Sequence, residues 1–590
     1  MAVTLASALN TALRAHKAGQ LDLAIATYDA ILAIQPDHAT ARHLRGFARL
    51  QLGRLGEALA DLREAVRLSP ANANAWCHLA VALGRVGASA LAVVAARRAQ
   101  LLSPDLPDAL DAAAADPATA KQSAARLLIV APANPNAWNR AGVVRAAGDP
   151  AAARRALRRA SILAPSEAPA LLDLADLERR NRNAGAADRL ATRGVILRPL
   201  DPRARAERAA AATELDAVSD ALADTAHALL LDPGHVRAWG NRAETLYRMA
   251  RYPAAVANGG RALLGAPDDA DVRANLGAYR LAAGGLPGGW ALFRDRPARR
   301  QTVRRDLPRW AGQTGARLLV LAEQGLGDEL LFSSMWRDLD DRVADRRLAS
   351  ATVEADRRLI PLGARACPRL SWRPRGESSG IADDYTHWCL AGDLMESLRP
   401  TADSFPGTGA GLVPAAPAVD QWRNWVAETA VGRPAIGICW RSGSLAGHRQ
   451  RHYPQIGECA PLLALEDKLF VVLQYDECGD EIASTVPGPG SHWALPPDLD
   501  RRDDQEGVAA LMTALDLVVS ADTAVLALAG ALRVPALGFA LHPGWVGLGR
   551  PDHPWFPTVQ RIYRAPDVPW IDAMERVAAR VEEMWGRGVV

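Results

Sequence analysis

The chain has 590 residues and a net charge of +3, with acids and bases interspersed, so it exceeds one core and lacks the one-signed footprint of a nucleic-acid binder. Its six cysteines are scattered with no C-x-x-C pair, which excludes a disulfide scaffold and a structural zinc site and fits a reducing, cytoplasmic setting. No apolar run reaches the roughly 18 residues a membrane span needs, and the start of the chain has no secretory pattern.

Before residue 300 the sequence reads as a repeat array. Prolines 36, 70, 104, 132, 165, 199, 233 and 267 follow one another at intervals of 34, 34, 28, 33, 34, 34 and 34. Gly19, Gly53 and Gly87 keep step, as do Ala24, Ala58 and Ala92. A 34-residue period of this kind resembles the tetratricopeptide repeat: small residues where paired helices cross, and Pro ending the second helix because it cannot continue the hydrogen-bond ladder. The spacing predicts about eight units over 1–296, the fourth short and Ala-rich. Such an α superhelix offers a groove for a protein partner, with a mere spacer as the bland alternative. The Arg-rich passage 297–314 reads as a solvated linker.

From Ala316 short apolar runs alternate with helical stretches, the pattern of parallel α/β sheets. Strands are expected at Arg317–Ala322, Ser350–Glu354, Thr386–Leu390, Ala435–Trp440, Leu469–Gln474, Leu517–Ser520 and Ala536–Phe539. A Pro/Gly/Ala-rich passage divides them into two Rossmann-like lobes, 315–415 and 416–590. Polar loops after the strands are then the site candidates. One is Glu323-Gln324-Gly325-Leu326-Gly327-Asp328; another is Ser520-Ala521-Asp522-Thr523-Ala524, where Asp522 or Thr523 can cap the next helix.

In order, Glu323 to Asp328, Gly437-Ile438-Cys439-Trp440-Arg441-Ser442-Gly443, Asp522-Thr523 and Pro554-Trp555-Phe556-Pro557 resemble the motifs of bacterial repeat proteins with a heptosyltransferase-like C-terminal domain. More distantly they are similar to the O-linked N-acetylglucosamine transferases. The Trp-Arg-Ser-Gly form together with Leu473-Gln474-Tyr475-Asp476 resembles a subset linked to flagellin production or modification. The resemblance implies a GT-B-like, inverting, metal-independent glycosyltransferase with no cofactor beyond its co-substrate, a nucleotide-diphospho-sugar. It implies Asp328 as the base, with helix capping as the alternative role, and Gly325 and Gly327 for the tight turn. The diphosphate would meet Asp522, Thr523, the N–H groups from Ala524, the Ser442-Gly443 turn, and Arg441 or Arg451 as cation. Two departures stand out: Ala527 occupies a position where those families usually carry His, and no Lys follows Trp440. A non-catalytic interaction protein is therefore the alternative function. Asp338-x-Asp340, Asp498-x-Asp500 and the His448/His452 pair are read as non-metal features.

Overall fold

A computed structural model describes residues 5–113, 119–297, 307–323, 325–376, 384–405, 411–443, 452–485, 492–565 and 568–586. From Leu5–Lys17 to Leu286–Phe293 the chain is helical, and successive helices pack in nine pairs among the described residues. The eight periodic prolines mark the ends of eight pairs. The ninth, Ala270–Ala282 with Leu286–Phe293, closes without one at that spacing, so counting prolines runs one short. The fourth pair is the stunted one expected, Pro107–Ala113 with Ala120–Val130.

The repeat positions have separate physical jobs. Ala24 and Ala58 are completely buried, where only a methyl fits between helices. Gly19, Gly53 and Gly87 do not serve helix approach, as their spacing suggested. They form the turn within each pair at φ of 75°, 75° and 80°, and a Cβ there would touch nothing. Trp76, Trp138 and Trp239 each donate their indole N–H to the carbonyl six residues earlier, on Pro70, Pro132 and Pro233, at 2.9, 2.8 and 2.9 Å.

The chain divides into two compact units, Met1–Glu207 and Arg208–Val590. In the first unit, the rings of His16, Phe47, His78 and His43 form a run of stacked contacts, with a 2.9 Å hydrogen bond between the two imidazoles of His43 and His78. Burial, then the neighbouring His16, pushes His43 down from 6.5 to about 4. The same burial, with His43 and His16, takes His78 to about 3. Below pH 6.5 the unfolded chain therefore gains protons that the folded ladder refuses. Stability present above pH 6.5 is expected to be lost as the pH falls toward about 4. Amide exchange in the helices Ala39–Gln51 and Ala73–Arg85 should speed up across that window in wild type but not in His43→Leu/His78→Leu.

The second unit joins the last helical pairs to the α/β half. The Trp290 indole donates to the Arg399 carbonyl at 2.9 Å, and Arg296 pairs with Glu323 through Nε–Oε2 at 2.8 Å. The first lobe is a four-stranded parallel sheet ordered β3-β2-β1-β4, with β1 Ala316–Leu321, β2 Leu348–Ala355, β3 Ser371–Pro374 and β4 His387–Leu390. The second lobe holds six parallel strands ordered β10-β9-β8-β5-β6-β7. These are β5 Ala435–Cys439, β6 Leu469–Val472, β7 Trp493–Ala494, β8 Leu517–Ala521, β9 Ala536–Ala540 and β10 Val559–Tyr563. All seven expected strands are present. The three unforeseen ones, β3, β7 and β10, are sheet edges, half-exposed or only two residues long, so they lack the apolar run that marks a buried parallel strand.

All six cysteines are free and buried. Burial pushes the Cys77, Cys367, Cys439 and Cys459 thiols up to about 12. Among the described residues no helix is long and apolar enough to cross a membrane.

Candidate functional site

In open parallel sheets the ligand crevice lies where the strand order reverses, outside the carboxyl ends of the strands. Here that point is beside β1 in the first sheet and between β5 and β8 in the second. The described residues that follow these three strands are 322, 323 and 325, then 440–443, then 522–523. They converge on one cavity of about 550 Å³, whose walls include Gly325, Gly327, Asp328, Ser442, Asp522 and Thr523. Ala524 lines it as well. Seven of the ten residues singled out from the sequence therefore share a single cavity.

Each is placed by local chemistry. Gly325 sits at φ 92°, a conformation side chains rarely adopt, and it is the N-cap of the helix Leu326–Ser333. Asp328 falls in the first turn of that helix, so the capping role is not its own. Its carboxylate makes no hydrogen bond among the described residues and folds back toward Gly325, where an added Cβ would lie 3.3 Å from Oδ2. Gly327 faces the other lobe: a Cβ there would meet the Ala524 Cα and N at 3.8 Å. The first turns of two helices, one from each lobe, thus oppose each other at close range.

Across this gap Thr523 caps the helix Ala524–Ala531, its hydroxyl accepting the Val525 N–H at 3.3 Å. Thr523 rather than Asp522 is the cap. The lobes also meet at Arg358 and Asp503, 2.9 Å apart, and through the edge-on rings of Phe405 and Trp555.

Asp328 and Asp522 both open onto the cavity and are exposed there, while protein surrounds them on their other sides. Burial therefore pushes both carboxyls up. For Asp328 the value rises from 3.8 to about 6, chiefly by burial, then by the Glu323 charge, with Arg296 opposing. For Asp522, burial raises it and Arg561 opposes. Water in the open cavity screens part of both shifts. A carboxyl near 6 is a base that is mostly ionised at neutral pH and still able to hold a proton.

Arg441 departs from expectation. Its guanidinium is turned away from the cavity into an internal ion cluster, paired with Asp476 and with Glu481, which also takes the Trp440 indole N–H at 2.7 Å. The Gln474 amide clasps the Arg441 backbone, accepting from its N–H at 3.2 Å and donating to its carbonyl at 3.0 Å. The Tyr475 hydroxyl accepts the Gly443 N–H at 3.0 Å, so that donor is already used. The two motifs, Trp-Arg-Ser-Gly and Leu-Gln-Tyr-Asp, thus brace each other at the ends of β5 and β6, and only Ser442 of the first lines the cavity. Arg451 and His448 lie outside the described residues. Among the described residues no Arg or Lys lines the cavity.

The D-x-D pairs are structural. Asp340 is fully buried and accepts the Arg369 N–H at 2.8 Å, Asp338 pairs with Arg399 at 2.7 Å, and Asp500 accepts the Arg502 and Asp503 N–H groups at 2.9 Å. No cluster of three metal-ligating side chains occurs among the described residues.

Sequence reading missed two cavity residues that bear imidazoles, His452 and His553. His452 was weighed only as half of a zinc pair. His553 directly precedes the Pro554-Trp555-Phe556-Pro557 motif, and that adjacency was the available signal.

Residues 13–76 match the family model of the tetratricopeptide repeat. The chain is 32% identical over 376 residues to Protein FlbA of Caulobacter vibrioides, an alignment covering 60% of this chain and 63% of that protein. It thus spans less than two thirds of the curated relative it matches. Among solved structures it is similar to the APC/C hetero-tetramer Cut9–Hcn1, at 16% identity and TM-score 0.38 over 47% of this chain and 57% of that one. It is also similar to yeast Tom70, at 14% identity and TM-score 0.30 over 49% of this chain and 84% of that one. The chain carries tetratricopeptide repeats followed by an α/β domain of parallel sheets.

Proposed function

We propose that the α/β half is a glycosyltransferase domain that takes a nucleotide-diphospho-sugar, and that the repeats present a protein acceptor of flagellin type. One observation carries this reading: the Asp328 carboxylate, without a hydrogen-bond partner among the described residues, shares a cavity with the capped start of the helix Ala524–Ala531, at the switch points of two parallel sheets.

In the proposed reaction an acceptor hydroxyl loses its proton to Asp328 as its oxygen attacks the anomeric carbon. The bond from that carbon to the phosphate oxygen breaks, and the electron pair leaves on the nucleoside diphosphate. The Ala524 N–H, at the positive end of the helix dipole, meets the charge that develops there, while the Val525 N–H is held by the Thr523 cap. No metal is needed for these steps. Inversion follows from direct displacement.

Titration of the full chain with a panel of nucleotide-sugars and free nucleoside diphosphates tests the reading. Binding of at least one is expected, and no binding at millimolar concentration would overturn it. Transfer is also expected to depend on pH through the base. Since only ionised Asp328 accepts a proton, the rate should rise as pH passes about 6 and level off above it. A flat profile between pH 5 and 7 would remove Asp328 from that role. Ala527, which lines the cavity at the position where a His was expected, favours a second reading, a repeat-based interaction protein whose α/β half binds without turnover.

A further inference from the structure

His553 lies in the connection between β9 and β10, which folds back over the helix Ala524–Ala531. Phe556 seats this connection on the helix: a Cβ at Gly530 would come within 2.5 Å of its ring. The Trp555 indole closes the loop on itself by donating to the Val546 carbonyl at 2.9 Å. Two tyrosines from the neighbouring helical pair hold its outer edge. The Tyr247 hydroxyl accepts the Trp545 N–H at 2.9 Å, and the Tyr252 hydroxyl accepts the Gly544 N–H at 3.1 Å. His553 is therefore mounted on a braced loop.

His553 is only 6% exposed, yet it is one of the residues that line the cavity, as is Ala527, one turn along from Thr523. The Phe556 N–H donates to Nδ1 at 3.3 Å, and the two rings lie 5.3 Å apart. A nitrogen that accepts cannot carry the proton, so a neutral ring must be protonated at Nε2. Burial, then the nearby Arg561, keeps the ring neutral by lowering its pKa well below 6.5, with Asp552 opposing. Nε2 has no hydrogen-bond partner among the described residues and is not among the buried unpaired atoms. What remains is one fixed N–H donor on a residue that lines the cavity together with Ala524 at the helix start.

We propose that His553 is a ligand-binding residue of this cavity, its Nε2–H donating a hydrogen bond to a phosphoryl oxygen of a nucleoside diphosphate seated on the helix Ala524–Ala531. Phosphoryl oxygens only accept, which suits the Nε2–H donor of His553 beside the Asp522 and Thr523 side chains, and a neutral imidazole supplies direction without adding a charge of its own. The assignment rests on the nucleotide-diphosphate reading of the cavity.

The test is calorimetric titration of the full chain with the uridine, guanosine, adenosine, cytidine and thymidine diphosphates. The diphosphate that binds wild type is expected to bind His553→Phe about 10- to 100-fold more weakly, the loss of one hydrogen bond to a charged group. His553→Gln keeps an N–H near the Nε2 position and should stay within about threefold of wild type. His553→Phe binding as tightly as wild type overturns the proposal while leaving the glycosyltransferase reading intact. If none of the five binds wild type, both fall. Should His553→Phe not fold, ¹⁵N-histidine spectra of wild type decide: the Nε2 resonance lost in His553→Gln must move when the diphosphate is added, and an unmoved resonance overturns the proposal.

Discussion

Asp328→Asn is expected to lower sugar transfer by about 10²- to 10⁴-fold, the usual contribution of a positioned base. Affinity for the nucleoside diphosphate should change by less than about threefold. The two effects separate because Asn keeps the shape of the side chain and removes only its basicity. The helix Leu326–Ser333 should also survive, since its N-cap is Gly325 and the Asp328 carboxylate bonds to nothing among the described residues. A carboxyl raised toward 6 opposes folding at neutral pH, so the unfolding free energy of Asp328→Asn should equal or exceed that of wild type. A loss of transfer and affinity together would make Asp328 a donor-site residue, and unchanged transfer would remove the base assignment.

The largest stability effect is expected at Arg296, in the residues that link the last helical pair to the first lobe. Its guanidinium is buried, donates to Glu323 through Nε at 2.8 Å and pairs with Asp393 at 3.0 Å. Glu323 in turn accepts the Gly392 N–H at 2.6 Å, and Asp393 also pairs with Arg309 at 2.6 Å. Arg296→Met leaves the Glu323 carboxylate buried without its cation, a situation that costs about 3–5 kcal/mol. Urea unfolding should register that loss, and Arg296→Met/Glu323→Gln should recover part of it by discharging the orphan. The cluster also reaches the candidate base. The Glu323 charge helps to hold Asp328 up near 6, so Glu323→Gln is expected to lower the Asp328 pKa and move the rising limb of the rate profile to lower pH. An unmoved limb, with the protein folded, would show that Glu323 acts on stability alone.

Much of this arrangement could be anticipated. The 34-residue period announced the helical pairs, and seven short apolar runs announced seven strands, because both patterns express local rules of side-chain periodicity and burial. The Gly-x-Gly-Asp turn and the Asp522-Thr523 loop were recognisable because backbone turns and helix starts demand particular residues in a row. The edge strands β3, β7 and β10 were missed for the converse reason: a strand paired on one side need not be apolar.

Arg441 shows where local reading fails. Beside a Gly-Ser turn, a guanidinium looks like a phosphate ligand, but Asp476 and Glu481, 35 and 40 positions on, claim it. His553 is the opposite case. Its one local mark is the Pro554-Trp555-Phe556-Pro557 motif that follows it, and only the folding of its loop over the helix Ala524–Ala531 brings it to the cavity.

The sequence by itself determined the repeat architecture, the two parallel lobes and the turns at their strand ends, since each of these is set by residues a few positions apart. Only the tertiary structure decided that Gly327 meets Ala524 across the lobes, that Arg441 is spent inside the protein and that His553 enters the cavity. Those outcomes depend on which charges and surfaces become neighbours once the strand-end loops and helix starts of the two lobes meet, and distance along the chain carries no information about that.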